Sequence, residues 1–335
     1  MEAEATHEMF AADGGPEAPA VVVRVPATSA NLGSGFDAVG WAVDRYLYAE
    51  VRPARETEAR GGPPSRFEVV GEVPSDARAE GASLFFRAVE EAFARAGRAA
   101  PDLAVRLQSE IPLGKGLGSS AAVIVAGLVA ANVLLEGKLS VGELLSLATR
   151  LEGHPDNVAP ALLGGLVVAR AEGEEVSAVR LRLPRVPALL AFVPEVELRT
   201  SASRRLLPDA YARETAVAAA GRAALLVAAL AAGELEKLPA AFGDGLHEPY
   251  RLPHIPGAEE LYALCASARP HGCLGCYLSG AGPTIMAVFA TPEAREDFRR
   301  RFSEHPLAHA FVPEPLALVE EGAVVLARTP RGFSR

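Results

Sequence analysis

The hydrophobic and polar positions of this chain form short apolar runs, typical of strands, and longer segments in which apolar residues recur at helical spacing. In the first half, strands are expected at 21–26, 41–51, 66–73, 103–107 and 166–170, and helices at 83–96, 119–135, 141–151 and 158–163. In the second half, strands are expected at 188–193, 273–278, 284–289 and 323–327, and helices at 211–232, 258–268 and 292–302. Strands and helices mixed in both halves predict an α+β fold.

Two segments bear on the cellular location of the protein. Residues 119–135 carry no charge, but they are fewer than the about 20 residues that cross a bilayer, and they include Asn132. We therefore expect a helix buried in a protein core and no membrane partner. Residues 1–19 are rich in Ala, Glu and Gly and lack the basic and apolar regions of an export signal, which predicts a disordered arm on a cytoplasmic protein.

Length and charge are typical of a two-domain protein that does not bind nucleic acid. The chain has 335 residues, and Pro184 and Pro187 flank a plausible junction. After the arm at 1–19, we expect one domain at 20–183 and a second at 184–335. The net charge of −9, with no basic block, argues against nucleic acid as a partner.

The three cysteines, Cys265, Cys273 and Cys276, are too few for a disulfide framework. Cys273 and Cys276 form a lone C-x-x-C motif, with no second pair and no histidine at ligand spacing. Two thiols packed beside a strand are favoured over a zinc or redox site. The functional residues are therefore expected elsewhere.

The most informative segment runs from Pro112 to Ala122 and reads P-L-G-K-G-L-G-S-S-A-A. Its glycines allow backbone N–H groups to surround phosphate oxygens, and the following helix points its positive dipole end at the same place. No window fits the Walker pattern G-x-x-x-x-G-K-[ST]. Gly116 to Ala121 fits a dinucleotide fingerprint, but Glu136, its acidic residue, ends the same helix and not a second strand. A glycine turn without a ligand is the third alternative, and we favour a nucleotide-phosphate loop.

The whole segment resembles the central signature of the GHMP kinases, named for galactose, homoserine, mevalonate and phosphomevalonate. Two further segments are similar to family motifs and lie in the expected order: P-A-T-S-A-N-L-G-S-G-F-D from Pro26 to Asp37, and L-S-G-A-G-P-T from Leu278 to Thr284. The resemblance implies two α+β domains, the first like ribosomal protein S5 domain 2 and the second ferredoxin-like, with the active site in the cleft between them. It also implies that ATP binds to Pro112, Leu113, Gly114, Lys115, Gly116, Leu117, Gly118, Ser119, Ser120, Ala121 and Ala122.

Within this family, four segments, at 30–40, 152–160, 200–204 and 246–251, resemble the homoserine kinases. The resemblance implies phosphorylation of the side-chain hydroxyl of L-homoserine by ATP, giving O-phospho-L-homoserine on the way to threonine. Guanidinium groups suit the carboxylate of such a substrate, and side-chain carboxylates and amides suit its ammonium and hydroxyl groups. The implied substrate contacts are Asn31, Asp37, His154, Asp156, Asn157, Thr200, Arg204, Arg251 and Gly280.

The resemblance further implies Mg²⁺ held by Ser120 and Glu152, with Ser119 as the alternative hydroxyl. Mg²⁺ takes few protein ligands and neutralises the β- and γ-phosphate oxygens. Catalysis is assigned to Ser120, Glu152 and Asn157 without a dedicated strong base, so the reaction relies on positioning and charge neutralisation. A homodimer is implied by resemblance alone.

Each of these residues also has a plain structural interpretation. Asn31 and Asp37 could be turn residues, and Arg204 could be a solvated charge. Two other functions stay open at this point: a GHMP kinase for another small alcohol, such as a mevalonate-pathway intermediate or shikimate, and a non-catalytic sensor of nucleotide and metabolite. The two C-terminal homoserine kinase-like segments count against the first, and the intact pair Ser120 and Glu152 counts against the second.

Overall fold

A computed structural model of the chain describes residues 21–55, 66–70, 75–196 and 200–328; the predicted arm at 1–19 lies outside them. These residues form eleven strands and ten α-helices, mixed in both halves, which confirms the α+β class. The strands are β1 (Val21–Ala30), β2 (Val39–Pro53), β3 (Phe67–Val69), β4 (Leu103–Ser109), β5 (Leu166–Glu172), β6 (Glu175–Leu181), β7 (Ala188–Pro194), β8 (Cys273–Leu278), β9 (Ile285–Phe289), β10 (Phe311–Leu316) and β11 (Val324–Arg328). The helices are α1 (Ser75–Arg95), α2 (Ser119–Leu134), α3 (Val141–Glu152), α4 (Pro155–Leu163), α5 (Thr200–Arg204), α6 (Arg213–Ala232), α7 (Leu238–Ala241), α8 (Glu248–Arg251), α9 (Ala258–Ser267) and α10 (Pro292–Phe302).

The first sheet has the strand order β11-β1-β2-β4-β3, with β5 paired to β2 and β6 paired to β5. Its neighbours are antiparallel except for β3 and β4, which are parallel. Helix α2 packs against α1, α3, α4 and β1. It is buried along most of its length, which confirms the predicted core helix and explains why it carries no charge.

The second sheet has the order β10-β7-β9-β8, and all its neighbours are antiparallel. One face packs against α10 through aromatic contacts of Phe192 with Phe298 and Phe302. The other face belongs to the hydrophobic core of the first sheet, to which it contributes Tyr277 and Met286. The two sheets therefore share one continuous apolar cluster, which packs the two halves of the chain against each other.

Several elements differ from their predicted form for identifiable reasons. Strand β1 continues four residues past Pro26, because a register shift between Pro26 and Ala27 accommodates the missing N–H. Helix α4 begins three residues earlier than the predicted 158–163, because Pro155 suits the first position of a helix. Strands β6 and β10 were not expected, since the alternation of apolar and polar residues in β6 breaks at Val179 and Arg180, and β10 is an edge strand that contains two prolines.

The last described strand departs from the predicted second domain. Strand β11 pairs with β1, so the end of the described chain returns to the first sheet and covers an edge that would otherwise be open. Strand β11 therefore belongs to the first sheet although it lies within residues 184–335, and the predicted domain bounds stay a prediction. The junction near residue 183 stays a prediction.

Helix α6 is a second apolar helix that the sequence analysis did not weigh as a membrane span. Among the described residues it is the one helix long and apolar enough to cross a bilayer by length and composition, with a mean hydropathy of 1.8. Leu226 and Leu230 pack into the core, although only 22% of the most apolar stretch of this helix is buried.

The three cysteines, Cys265, Cys273 and Cys276, are buried free thiols, as predicted for small apolar side chains.

Candidate active site

The glycine loop is anchored through its carbonyl groups. The carbonyl of Lys115 accepts a hydrogen bond from the Thr284 amide (3.2 Å), and that of Leu117 accepts one from the Thr28 amide (3.1 Å). The carbonyl between them, on Gly116, accepts from the Ser279 hydroxyl (2.7 Å). Strand β1 and the turn after β8 thus hold the loop from the protein side.

Two glycines are required by this close packing. Gly116 has a φ of 77°, and a Cβ added there would lie 2.3 Å from the carbonyl oxygen of Ser279. Gly118 has a φ of 74°, and a Cβ there would lie 2.0 Å from the hydroxyl oxygen of Thr28. Both conformations are left-handed and strained for any other residue, so glycine is needed for backbone shape and for space.

The amide side of the loop faces away from these anchors. Within the described part of the chain, the N–H groups of residues 116–121 meet no backbone or side-chain acceptor. Helix α2 begins directly after Gly118, and its first turn adds further free amides and the positive end of the helix dipole. This arrangement suits the binding of phosphate groups.

Lys115 is held in a different direction. Its Nζ donates to the backbone carbonyls of Glu195 and Val196, just after β7, with the Val196 contact at 2.9 Å. The loop is thereby tied to the chain that leads into α5 and Arg204. A contact of Lys115 with a phosphate stays a prediction.

The predicted metal ligands lie side by side at the start of α2. The Ser120 hydroxyl lies 2.6 Å and 2.9 Å from the two carboxylate oxygens of Glu152, at the end of α3. Burial raises the pKa of the Glu152 carboxyl, against the opposing effects of His154 and of the Ser120 hydrogen bond. Hydroxyl and carboxylate oxygens are hard ligands, so this pair fits Mg²⁺.

A cluster of polar groups lies next to this pair. One oxygen each of Asp37 and Asp156 and a ring nitrogen of His154 lie within 4.8 Å of one another. His154 Nδ1 hydrogen-bonds to Asp156, whose other neighbour is the Asn157 amide (3.4 Å). Burial alone would lower the pKa of His154, but the surrounding carboxylates, chiefly Asp156, raise it. The two carboxylates outnumber the one imidazole, so the cluster suits a cationic group even when His154 is protonated.

Asn31 and Asp37 occupy the left-handed region, with φ values of 74° and 56°, where Asn and Asp are enriched. The side chain of Asn31 closes the turn, because its Oδ1 accepts from the Asp37 amide (3.1 Å). Its Nδ2 donates to the carbonyl of Gly280 (2.8 Å), in the turn between β8 and β9 of the second sheet. The turn interpretation of these residues is thus correct, and the turn places Asp37 in the cluster.

Two arginines face the cluster from the second half of the chain. Arg204 on α5 donates to Asp37 (2.7 Å), and Arg251 on α8 donates to the carbonyl of Gly280 (3.1 Å). Arg251 is 2% exposed, and burial together with the charge of Arg204 lowers its pKa to about 10. Arg251 remains cationic near neutral pH. Both guanidinium groups lie over the ring of Phe36, that of Arg204 at 5.9 Å and that of Arg251 at 5.4 Å from its centroid.

The structure therefore brings together most of the predicted substrate residues, and their roles stay predictions. They are Asn31, Asp37, His154, Asp156, Asn157, Arg204, Arg251 and Gly280. Thr200 begins helix α5, but its side chain lies outside the described residues.

Three residues around this pocket were missed. Phe36 stacks on His247 (5.1 Å between centroids), and Nε2 of His247 donates to the carbonyl of Gly33 (3.1 Å). Thr28 contacts Asn157, as described below. All three lie inside segments quoted for the resemblance, which was a usable signal, but spacing alone does not tell which side chain faces the pocket.

We expect Gly116→Ala to weaken ATP binding at least roughly tenfold, because the new Cβ would meet two backbone carbonyls in a strained conformation. Calorimetric titration with ATP measures this. Gly221→Ala is the matched control, since a Cβ there meets nothing within 4 Å and the site lies inside α6. The control should bind ATP like wild type; equal ATP affinity in the Gly116→Ala variant would contradict the assignment of this loop.

Known proteins are similar to this chain in sequence and in fold. The family model for the GHMP kinases N terminal domain matches residues 83–165, and that for the GHMP kinases C terminal matches residues 226–306. The homoserine kinase of Moorella thermoacetica is 41% identical over 266 residues, which cover 79% of this chain and 86% of that relative. The homoserine kinase of Deinococcus radiodurans is 44% identical over 264 residues, which cover 79% of this chain and 82% of that relative.

A solved structure extends the likeness to the whole fold. The crystal structure of homoserine kinase from Cytophaga hutchinsonii superposes with a TM-score of 0.75 at 29% identity, covering 93% of this chain and 99% of that one. The motifs, the loop geometry and these relatives agree, and the chain belongs to the GHMP kinase family, in which it groups with the homoserine kinases.

Proposed function

We propose that this chain transfers the γ-phosphoryl group of ATP to the side-chain hydroxyl of L-homoserine, giving ADP and O-phospho-L-homoserine. The observation that carries the proposal is the position of the free amides of the glycine loop beside a pocket with two arginines and two carboxylates. Such a pocket complements both charges of an amino acid. The curated relatives named above are homoserine kinases, at 41–44% identity.

The two charges of the substrate have separate partners in this pocket. Arg204 and Arg251 suit the carboxylate, because a guanidinium can donate two parallel hydrogen bonds to it. The Nε of Arg251 is buried and has no partner within the described residues, so it is available to a ligand. Asp37 and Asp156 suit the ammonium group, and Arg204 would exchange its present contact with Asp37 for the substrate carboxylate.

The hydroxyl to be phosphorylated would then lie near Asn157, between the charged pocket and the glycine loop. The loop amides stabilise the negative charge on the phosphate oxygens, and the bound orientation of the substrate brings its hydroxyl into line. Asn157 can donate an N–H to an oxygen at this point. No strong base is assigned, and Asp156 is a substrate contact.

Mg²⁺ belongs to the same proposal, since kinase relatives imply the use of ATP. Ser120 and Glu152 would hold the ion, because their three oxygens converge at the start of α2. The ion would supply neutralisation of charge on the β- and γ-phosphate oxygens. We assign the cluster of Asp37, His154 and Asp156 to the substrate ammonium and not to a second ion.

The other functions considered from the sequence are not carried forward. A kinase for mevalonate or shikimate, which carry a carboxylate but no ammonium group, has no use for the carboxylates of Asp37 and Asp156 beside the two arginines. A sensor has no need of a hydroxyl–carboxylate pair at the glycine loop. A homodimer and a cytoplasmic location remain part of the proposal through the homoserine kinase resemblance.

With Mg²⁺ and ATP, the purified protein should release ADP rapidly with L-homoserine and far more slowly with mevalonate, shikimate or galactose, which lack the ammonium group. A coupled ADP-release assay compares the four alcohols. Equal rates on all four would contradict the choice of substrate, and no turnover of any of them would favour the sensor.

Arg204→Ala and Arg251→Ala should each raise the KM for homoserine by roughly tenfold or more, because a hydrogen bond to a charged group is worth about 1.5–3 kcal/mol. The KM for ATP should change little. Steady-state kinetics measures both constants, and Arg205→Ala at the exposed neighbouring position is the control. An unchanged KM for homoserine in both variants would place the substrate carboxylate elsewhere.

Glu152→Gln keeps the size of the side chain and removes its charge, so the Mg²⁺ concentration for half-maximal rate should rise at least roughly tenfold. The KM for homoserine should stay near the wild-type value. Rates measured over a Mg²⁺ titration test this, with Glu136→Gln at an exposed position as the control. A wild-type Mg²⁺ curve for Glu152→Gln would remove Glu152 from the metal site.

A further inference from the structure

Thr28 is a fully buried hydroxyl residue that joins the two parts of the active site, and neither the motifs nor the relatives assign it a role. It lies on β1 and is 0% exposed. Its amide donates to the carbonyl of Leu117 in the glycine loop (3.1 Å). Its hydroxyl donates to Oδ1 of Asn157, at 2.8 Å.

This second hydrogen bond fixes which end of the Asn157 amide faces the pocket. The amide has an acceptor oxygen and a donor nitrogen at opposite ends. With Oδ1 bound to Thr28, Nδ2 points to the other side, where the Asp156 carboxylate lies 3.4 Å away. The flipped amide would place Oδ1 beside that carboxylate, which electrostatic repulsion disfavours.

The space around Thr28 leaves its hydroxyl little freedom. A Cβ added at Gly118 would lie 2.0 Å from the Thr28 hydroxyl oxygen and 3.3 Å from Asn157 Oδ1, so all three groups are in contact. On the far side, a Cβ added at Gly280 would lie 3.9 Å from Asn157 Nδ2. The donor end of the amide therefore faces the turn that carries Gly280.

We infer that Thr28 is a positioning residue, whose hydroxyl holds the Asn157 amide with its N–H groups turned towards the substrate hydroxyl and the transferred phosphoryl group. The role rests on the proposed kinase reaction and deepens it. A donor already oriented at the place where charge changes stabilises the transition state without reorganisation. Without the Thr28 hydrogen bond, only the contact with Asp156 (3.4 Å) holds the amide, so its N–H groups are no longer fixed towards the phosphoryl oxygens.

Thr28→Val keeps the shape of the side chain and removes the donor. It should lower kcat for homoserine roughly 10- to 100-fold, while the KM values for ATP and homoserine change by less than about threefold. Thr28→Ser retains the hydroxyl and should keep kcat within about threefold of wild type. Steady-state kinetics with ATP and homoserine measures all these values.

Thr149→Val is the matched control. Thr149 is also buried, on α3, and its hydroxyl has no hydrogen-bond partner within the described residues. This variant makes the same chemical change in the same sheet–helix unit and should leave kcat near the wild-type value. If Thr28→Val does not fold, as judged by circular dichroism, Thr28→Ala carries the same expectation.

A double-mutant cycle separates positioning from a general structural effect. If Thr28 acts through Asn157, then adding Thr28→Val to the Asn157→Ala variant should lower kcat by less than about threefold. A loss of the same factor in both backgrounds would overturn the inference, as would a wild-type kcat in Thr28→Val or an equally poor Thr28→Ser. Failure of the wild-type protein to phosphorylate homoserine overturns the function as well, so the two failures are distinguishable.

Discussion

Three hydrogen bonds to the carbonyl side of the glycine loop are the constraint on which the rest of the active site depends. They come from Thr28 on β1 and from Ser279 and Thr284, which flank the turn after β8, so both sheets contribute. Because the loop carbonyls accept hydrogen bonds from these three residues, the loop amides point to the opposite side, at the start of α2. A peptide group cannot present both its ends to one side, and the anchors therefore decide where an anion can bind.

The anchors are themselves held by a buried polar chain that crosses between the sheets. Ser279 hydrogen-bonds to Ser29 (2.7 Å), Ser29 to Tyr277 (2.7 Å), and Tyr277 accepts from Trp41 (2.9 Å). Unpaired polar groups are costly at this depth, so each member favours a single geometry for its neighbours. The glycine loop thus owes its shape partly to side chains, such as Tyr277 and Trp41, that do not contact it directly.

The sequence determined the elements and the loop, and the structure supplied the contacts. The core helix α2 and most strands followed from apolar periodicity, and the glycine segment indicated a phosphate site. Strands β6 and β10 did not, because the alternation in β6 breaks at Val179 and Arg180, and two prolines interrupt β10 at the sheet edge. The pairing of Thr28 with Asn157 joins positions 129 residues apart, and no local pattern encodes a contact at that separation.

The return of β11 to the first sheet has a mechanical consequence. The chain crosses between the sheets twice, once from β6 to β7 and again from β10 to β11. The second crossing is itself hydrogen-bonded to β2, through Ala317 and Val319. Two covalent crossings and the shared apolar core therefore join the sheets, so the two halves of the chain are not two bodies on a single free linker.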